Sequence, residues 1–206
     1  MYVPEPFALD ATGTAHFLAT VVAGDLVTAT DDGLVATFLP LLVDLDRGEH
    51  GSLLGHLARN NTQRERPVHG QALVIAHGPD AYISPSWYPS KADHGRVAPT
   101  WDYAAAHVHG DLVIHDDPAW LDSLVRRLTQ RHESARQHPW SVDDAPAKYI
   151  AGQLRAIVGV ELQITRVEVQ VKMSQNRRAA DIDGVVMGLT QDSLGDVAGM
   201  VEQSRP

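Results

Sequence analysis

The stretch Pro99–Gly110, PTWDYAAAHVHG, reads as a β-strand, and side chains two apart on a strand share a face. Trp101, Tyr103, His107 and His109 therefore point one way, and Ala104, Ala106 and Val108 the other. Rings with apolar bodies and polar tips can wall a planar cofactor or line a subunit interface. Thr100 adds a hydroxyl at the head of the strand. The two histidines alone do not make a zinc centre, which needs further ligands that the sequence does not locate.

Three other groups carry binding chemistry. The loop ISPSWYPSK offers Ser84, Ser86 and Lys91 as hydroxyl and ammonium donors for a phosphate or carboxylate, with Trp87 able to cover a ring. KMSQNR, at the end of the last long strand, supplies Lys172, Gln175, Asn176 and Arg177 as donors to an anionic or carbonyl-rich group. His56 opens HLARNNTQRE, a segment that reads as a short helix with Arg59 one turn further on. A helix N-terminus there would suit an anionic arm, and a neutral His56 imidazole could instead ligate haem iron.

No nucleophile elbow, phosphate loop, HExxH zinc motif or dinucleotide fingerprint occurs in the chain. Any reaction would therefore lean on a bound prosthetic group. A formal charge of −9 and a pI near 5.6, with no basic run, set the field against phosphate backbones and make direct nucleic-acid binding unexpected. The chain has no cysteine, which excludes disulfides, thiolate catalysis and iron–sulfur ligation and fits a reducing compartment. With no leader-like start and no apolar run long enough to cross a bilayer, it is expected in the cytoplasm.

At 206 residues and 44% hydrophobic composition, the chain can bury roughly 70% of its unfolded surface around one core. Phe17, Leu18, Val21 and Val22 form a helical stripe, followed by a hairpin turned at DDG with Pro40 marking an edge or a bend. SLLG reads as a short strand. QALVIAHGPDAYI reads as two strands around a Gly-Pro-Asp turn, and PTWDY through DLVIHDD as the next strand. Asp117 and Pro118 start a helix with a stripe at Trp120, Leu121, Leu124, Val125 and Leu128; a second helix is expected to run to Gly159.

In VELQITRVEVQVKMS the apolar residues change parity, from Val160, Leu162 and Ile164 to Val167, Val169, Val171 and Met173. That fits a bulge or a strand changing sheets near Thr165 and Arg166. The tail carries a helical stripe at Leu194, Val197, Ala198 and Val201. The pattern is mostly β with peripheral helices, an α+β barrel over residues 1–190 with a helical tail over 191–206.

LLGHLARNN, GPDAYISPSWYPSK, PTWDY with HVHG, HPWSVDDAPAKYI and KMSQNRRAADIDGV together resemble the PaiB family, described as FMN-binding negative transcriptional regulators. The resemblance implies a split β-barrel of the pyridoxamine-phosphate-oxidase type, paired as a homodimer with a flat anionic cofactor at the subunit interface. That cofactor would be FMN, held by residues among those singled out above. In the related piperazate synthases it would be haem b, with His56 as the iron ligand. The chain departs from the pattern at Asp102, where the family has Asn, and at Asn61–Arg64, where it has NPQW. An acid near a flavin phosphate is unfavourable unless it points away or pairs with a base.

Three functions follow: a flavin-binding dimer with a regulatory or redox role, a haem-dependent enzyme forming an N–N bond in a hydroxylated amino acid, or a cofactor-free partner-binding barrel.

Overall fold

A computed structural model describes residues 1–65 and 68–206. Among them are strands β1 (Ala23–Thr30), β2 (Gly33–Pro40), β3 (Leu42–Asp44), β4 (Ser52–Ala58), β5 (Ala72–Ile83), β6 (Thr100–His115) and β7 (Ile157–Lys172). Six helices accompany them: α1 (Ala11–Thr20), α2 (Ser90–His94), α3 (Pro118–Glu133), α4 (Ala147–Arg155), α5 (Ala179–Gln191) and α6 (Gly195–Gln203). The strands form one mostly antiparallel sheet in the order β2-β1-β5-β6-β7-β4-β3, the split β-barrel arrangement. Two compact units divide the chain, one of residues 18–76 and 107–167, the other of residues 1–17, 77–106 and 168–206. The long strands β5, β6 and β7 each contribute residues to both.

In the first unit, β1 and β2 form the expected hairpin, closing on Thr30 opposite Gly33. Gly33 has φ +106, a conformation that side-chain-bearing residues rarely adopt. Pro40 ends β2 at the sheet edge, where its missing N–H costs no ladder bond. Gln63 is buried and ties the hairpin together: its amide donates to Leu26 O, Thr28 Oγ1 and Val35 O, while its Oε1 accepts from Thr37. Helix α3 begins as expected, with the Asp117 carboxylate accepting from the Ala119 and Trp120 N–H groups. Leu124 and Leu128 pack on Leu42 and Leu54 beside Trp120.

Three segments differ from what their sequence predicts. No helix begins at His56; β4 runs on through Ala58, with His56 opposite Gly159. The ladder to β7 holds the segment extended, and only a 3-10 turn at Thr62–Arg64, capped by Asn61, follows. The Gly78-Pro79-Asp80 tripeptide is not a turn but lies inside the continuous β5. There the buried set shifts from Ala72, Val74 and Ala76 to Ala81 and Ile83, so the glycine and proline mark a change of parity. Helix α4 stops at Arg155, which leaves Gly159 within β7, where a Cβ would fall 2.1 Å from the Trp120 ring.

The parity change expected in β7 is present: Val158, Val160, Leu162 and Ile164 are buried, then Val169 and Val171, with exposed Thr165 and Arg166 between.

The second unit is built on α5 and α6, whose Ile182, Val185, Leu189, Val197, Ala198 and Val201 are buried. Gly184 and Gly188, one helical turn apart, form a shelf on which Trp87 lies. A Cβ on Gly184 would stand 1.9 Å from Trp87 O, and one on Gly188 2.3 Å from the Trp87 ring. Gly188→Val should therefore lower stability by about 1–3 kcal/mol through overpacking. Chemical denaturation would measure it, and an unchanged midpoint would show that Trp87 does not depend on the shelf.

Candidate functional site

The alternation read from the sequence governs β6. Asp102, Ala104, Ala106 and Val108 are buried, whereas Tyr103, His107 and His109 are half-buried and Trp101 is 51% exposed. His107 and His109, with His56 and Arg59, belong to the first unit; the other candidates belong to the second.

In the second unit, Trp101 Nε1 donates to Asp80 Oδ1 at 2.8 Å, which fixes the indole on the surface. Tyr82, 49% exposed on β5, meets it edge-on at 6.3 Å between centroids. The two exposed rings lie 64° apart, so a flat ligand can stack on the face of one and meet the edge of the other. Sequence reading missed Tyr82, because the supposed turn at Gly78–Asp80 separated it from its strand; alternation counted back from Ile83 would have found it. Two residues beyond Tyr82 the chain enters the Ser84–Lys91 loop. Ser84 Oγ accepts from Ser86 N, and Lys91 Nζ donates to Ser86 Oγ at 3.1 Å. Ser86 and Lys91 are exposed, so an ammonium and a hydroxyl sit together as a handle for an anion. Trp87 is not part of that handle: its ring is taken up by α5.

At the head of β6, Lys172 Nζ donates to Thr100 Oγ1 at 2.5 Å and to the Trp101 carbonyl. Gln175 serves the backbone, accepting from Met173 N and donating to Val171 O and Pro6 O. Arg177 lies over the Tyr88 ring, 5.0 Å from its centroid, and Asn176 is exposed. Asp102 meets the first condition under which an acid is compatible with a phosphate ligand: it points away from the exposed face. It has opposite parity to Trp101 and Tyr103, is fully buried, accepts from Ser174 Oγ at 2.6 Å, and has Lys172 Nζ at 3.7 Å.

In the first unit, Arg59 is engaged within the protein. It pairs through two nitrogens with the Asp116 carboxylate and donates to Arg155 O and Ile157 O. His56 lines a cavity of about 270 Å³ with Pro40, Val125, Leu128, Thr129, His132, Glu133 and Trp140. Burial lowers its pKa and keeps it neutral, and its Nδ1 is buried without a hydrogen-bond partner. An iron-ligating histidine binds through one nitrogen and donates the other N–H to an acceptor. Nothing among the described residues accepts from His56 Nδ1.

The seven-stranded barrel defines a protein of the split-barrel class. Residues 1–166 match the family described as "Putative FMN-binding domain", and the chain belongs to that family, the PaiB family its motifs resemble. It is 30% identical over 204 residues to the protease synthase and sporulation protein PAI 2 of Bacillus subtilis, covering 98% of this chain and 95% of that one. It is also 41% identical over 109 residues to the uncharacterized protein YKL070W of Saccharomyces cerevisiae, covering 52% and 64%.

Among the solved structures that share the fold are two from bacteria. One is a conserved hypothetical protein from Mycobacterium tuberculosis (TM-score 0.54, 13% identity, 83% of this chain and 90% of that one). The other is the flavocytochrome Anf3 from Azotobacter vinelandii (TM-score 0.53, 11% identity, 79% and 67%). No described helix is long and apolar enough to cross a membrane.

Proposed function

We propose that this protein is a cytoplasmic, FMN-binding homodimer with a regulatory or redox role. The observation that carries the reading is the exposed Tyr82–Trp101 pair, followed within the same unit by the Ser86–Lys91 handle. A flat ring system with one anionic arm is the ligand such a pairing suits. Membership of the FMN-binding family supports flavin as that ligand. FMN would rest its ring against Trp101 and Tyr82 and its phosphate against Lys91 and Ser86, and when bound would supply electron-transfer chemistry. The protein's part is to orient the ring and neutralise the phosphate. With a net charge of −9, any effect on transcription would run through a partner rather than through DNA contact.

Titrating the purified protein with FMN, followed by flavin fluorescence and by size-exclusion chromatography, tests this. Saturable binding at one FMN per subunit in a dimer is expected. Trp101→Ala should weaken it by about 1 kcal/mol, or roughly fivefold, through loss of ring contact. Failure of flavin to bind after reconstitution would reject the reading.

A further inference from the structure

Asp102 is fully buried on the inner face of β6, and its two oxygens are served unequally. Oδ2 accepts from Ser174 Oγ at 2.6 Å; Oδ1 is buried with no hydrogen-bond partner. The Lys172 ammonium stands 3.7 Å from Oδ1, too far to donate, and spends itself on Thr100 Oγ1 and the Trp101 carbonyl. Tyr88, also buried, contributes a hydroxyl without a partner; burial raises its pKa and keeps it neutral. Arg177 lies over that ring, and Asp181 is held by the Ser90 N–H and hydroxyl. A buried carboxylate with an unfilled oxygen is costly, and taking up a proton removes the cost. Burial accordingly pushes the Asp102 pKa up, against the opposing pull of Ser174 and Lys172.

We propose that Asp102 is a positioning residue whose proton decides where the Lys172 ammonium points. Resting on the flavin reading above, this couples FMN affinity to pH. With Asp102 neutral, Lys172 stays on Thr100 Oγ1 and the Trp101 carbonyl, and its charge is held at the head of β6. Once Asp102 loses its proton, Oδ1 needs a donor and the ammonium moves onto it, which neutralises the cation and releases the head of β6. An anionic ligand on the Trp101 face then binds more weakly as pH rises through the Asp102 midpoint.

The test begins on the protein without flavin. Side-chain carbon NMR of Asp102, recorded from about pH 4 to about pH 9, should give a midpoint above the ordinary carboxylate range. The Lys172 ammonium signal should shift with the same midpoint, and Asp102→Asn, which keeps the shape and removes the proton, should abolish that shift. FMN titrations should show affinity falling at least threefold through the midpoint in the wild type, with that component missing in Asp102→Asn. An Asp102 charged throughout, or a Lys172 signal that ignores its titration, overturns the coupling even if FMN binds. The expected NMR titrations in a protein that binds no FMN would sustain the coupling and reject the flavin reading instead.

Discussion

Glu161→Ala should destabilise the protein by about 3 kcal/mol, the scale expected when a buried, multiply bonded charge is removed from its partners. Glu161 is 2% exposed on β7 and is the hub of the first unit's polar network. Arg47 donates to both its oxygens at 2.7 and 2.9 Å, Ser52 Oγ donates at 3.1 Å, and His115 Nε2 lies 2.8 Å away. His115 in turn stacks on Trp120 at 4.1 Å, so the network fastens the 45–51 loop and the start of α3 to the sheet. Alanine would leave His115 Nε2 without its carboxylate partner and Ser52 Oγ with only the Arg47 carbonyl, and would free Arg47 to turn toward solvent.

Burial pushes the Glu161 carboxyl up, but hydrogen bonds from Arg47, His115 and Ser52 more than offset it and hold the pKa below the usual glutamate range. A carboxyl depressed on folding contributes stability that is present above its unfolded pKa and lost as pH falls through its folded pKa. Wild-type protein should therefore lose this contribution in acid, whereas Glu161→Ala should not. Urea denaturation of both at neutral and acid pH checks the magnitude and the sign together. A constant difference between them would show that Glu161 titrates alike in both states.

Lys91→Ala should weaken FMN binding by about 1.5 to 3 kcal/mol, an increase in Kd of roughly 10- to 150-fold, if the ammonium holds the phosphate. Lys91 is exposed, with Ser86 Oγ as its protein partner, so its removal leaves no buried group unpaired and should not disturb the fold. Two comparisons make the result specific. Riboflavin, which lacks the phosphate, should bind both proteins alike. Arg59→Ala should leave FMN affinity unchanged, because Arg59 is already engaged by Asp116 and two backbone carbonyls. An FMN titration of Lys91→Ala that overlays the wild type would place the phosphate elsewhere.

The departure at Asn61–Arg64 has a structural use in this chain. Asn61 caps the 3-10 turn and Gln63 reaches under the hairpin, so these positions contribute support rather than an open binding group. Asp102 carries the opposite lesson: an acid that seemed ill suited to a phosphate ligand is turned away from the exposed face and buried.

The sequence alone determined what depends on local periodicity. The two faces of β6, the parity change in β7, the Asp117 cap of α3 and the hairpin turn at Gly33 all follow from alternation, capping and turn chemistry, which act over a few residues. Tertiary structure decided what depends on distant partners. The ladder to β7 kept His56 extended, and Asp116 and two distant carbonyls engaged the Arg59 guanidinium. The shelf on α5 claimed Trp87, and the strand beside β6 brought Tyr82 to Trp101. The physical reason is that a side chain's donors and apolar area go to whatever the fold sets against them, and neither spacing nor composition records which neighbour that will be.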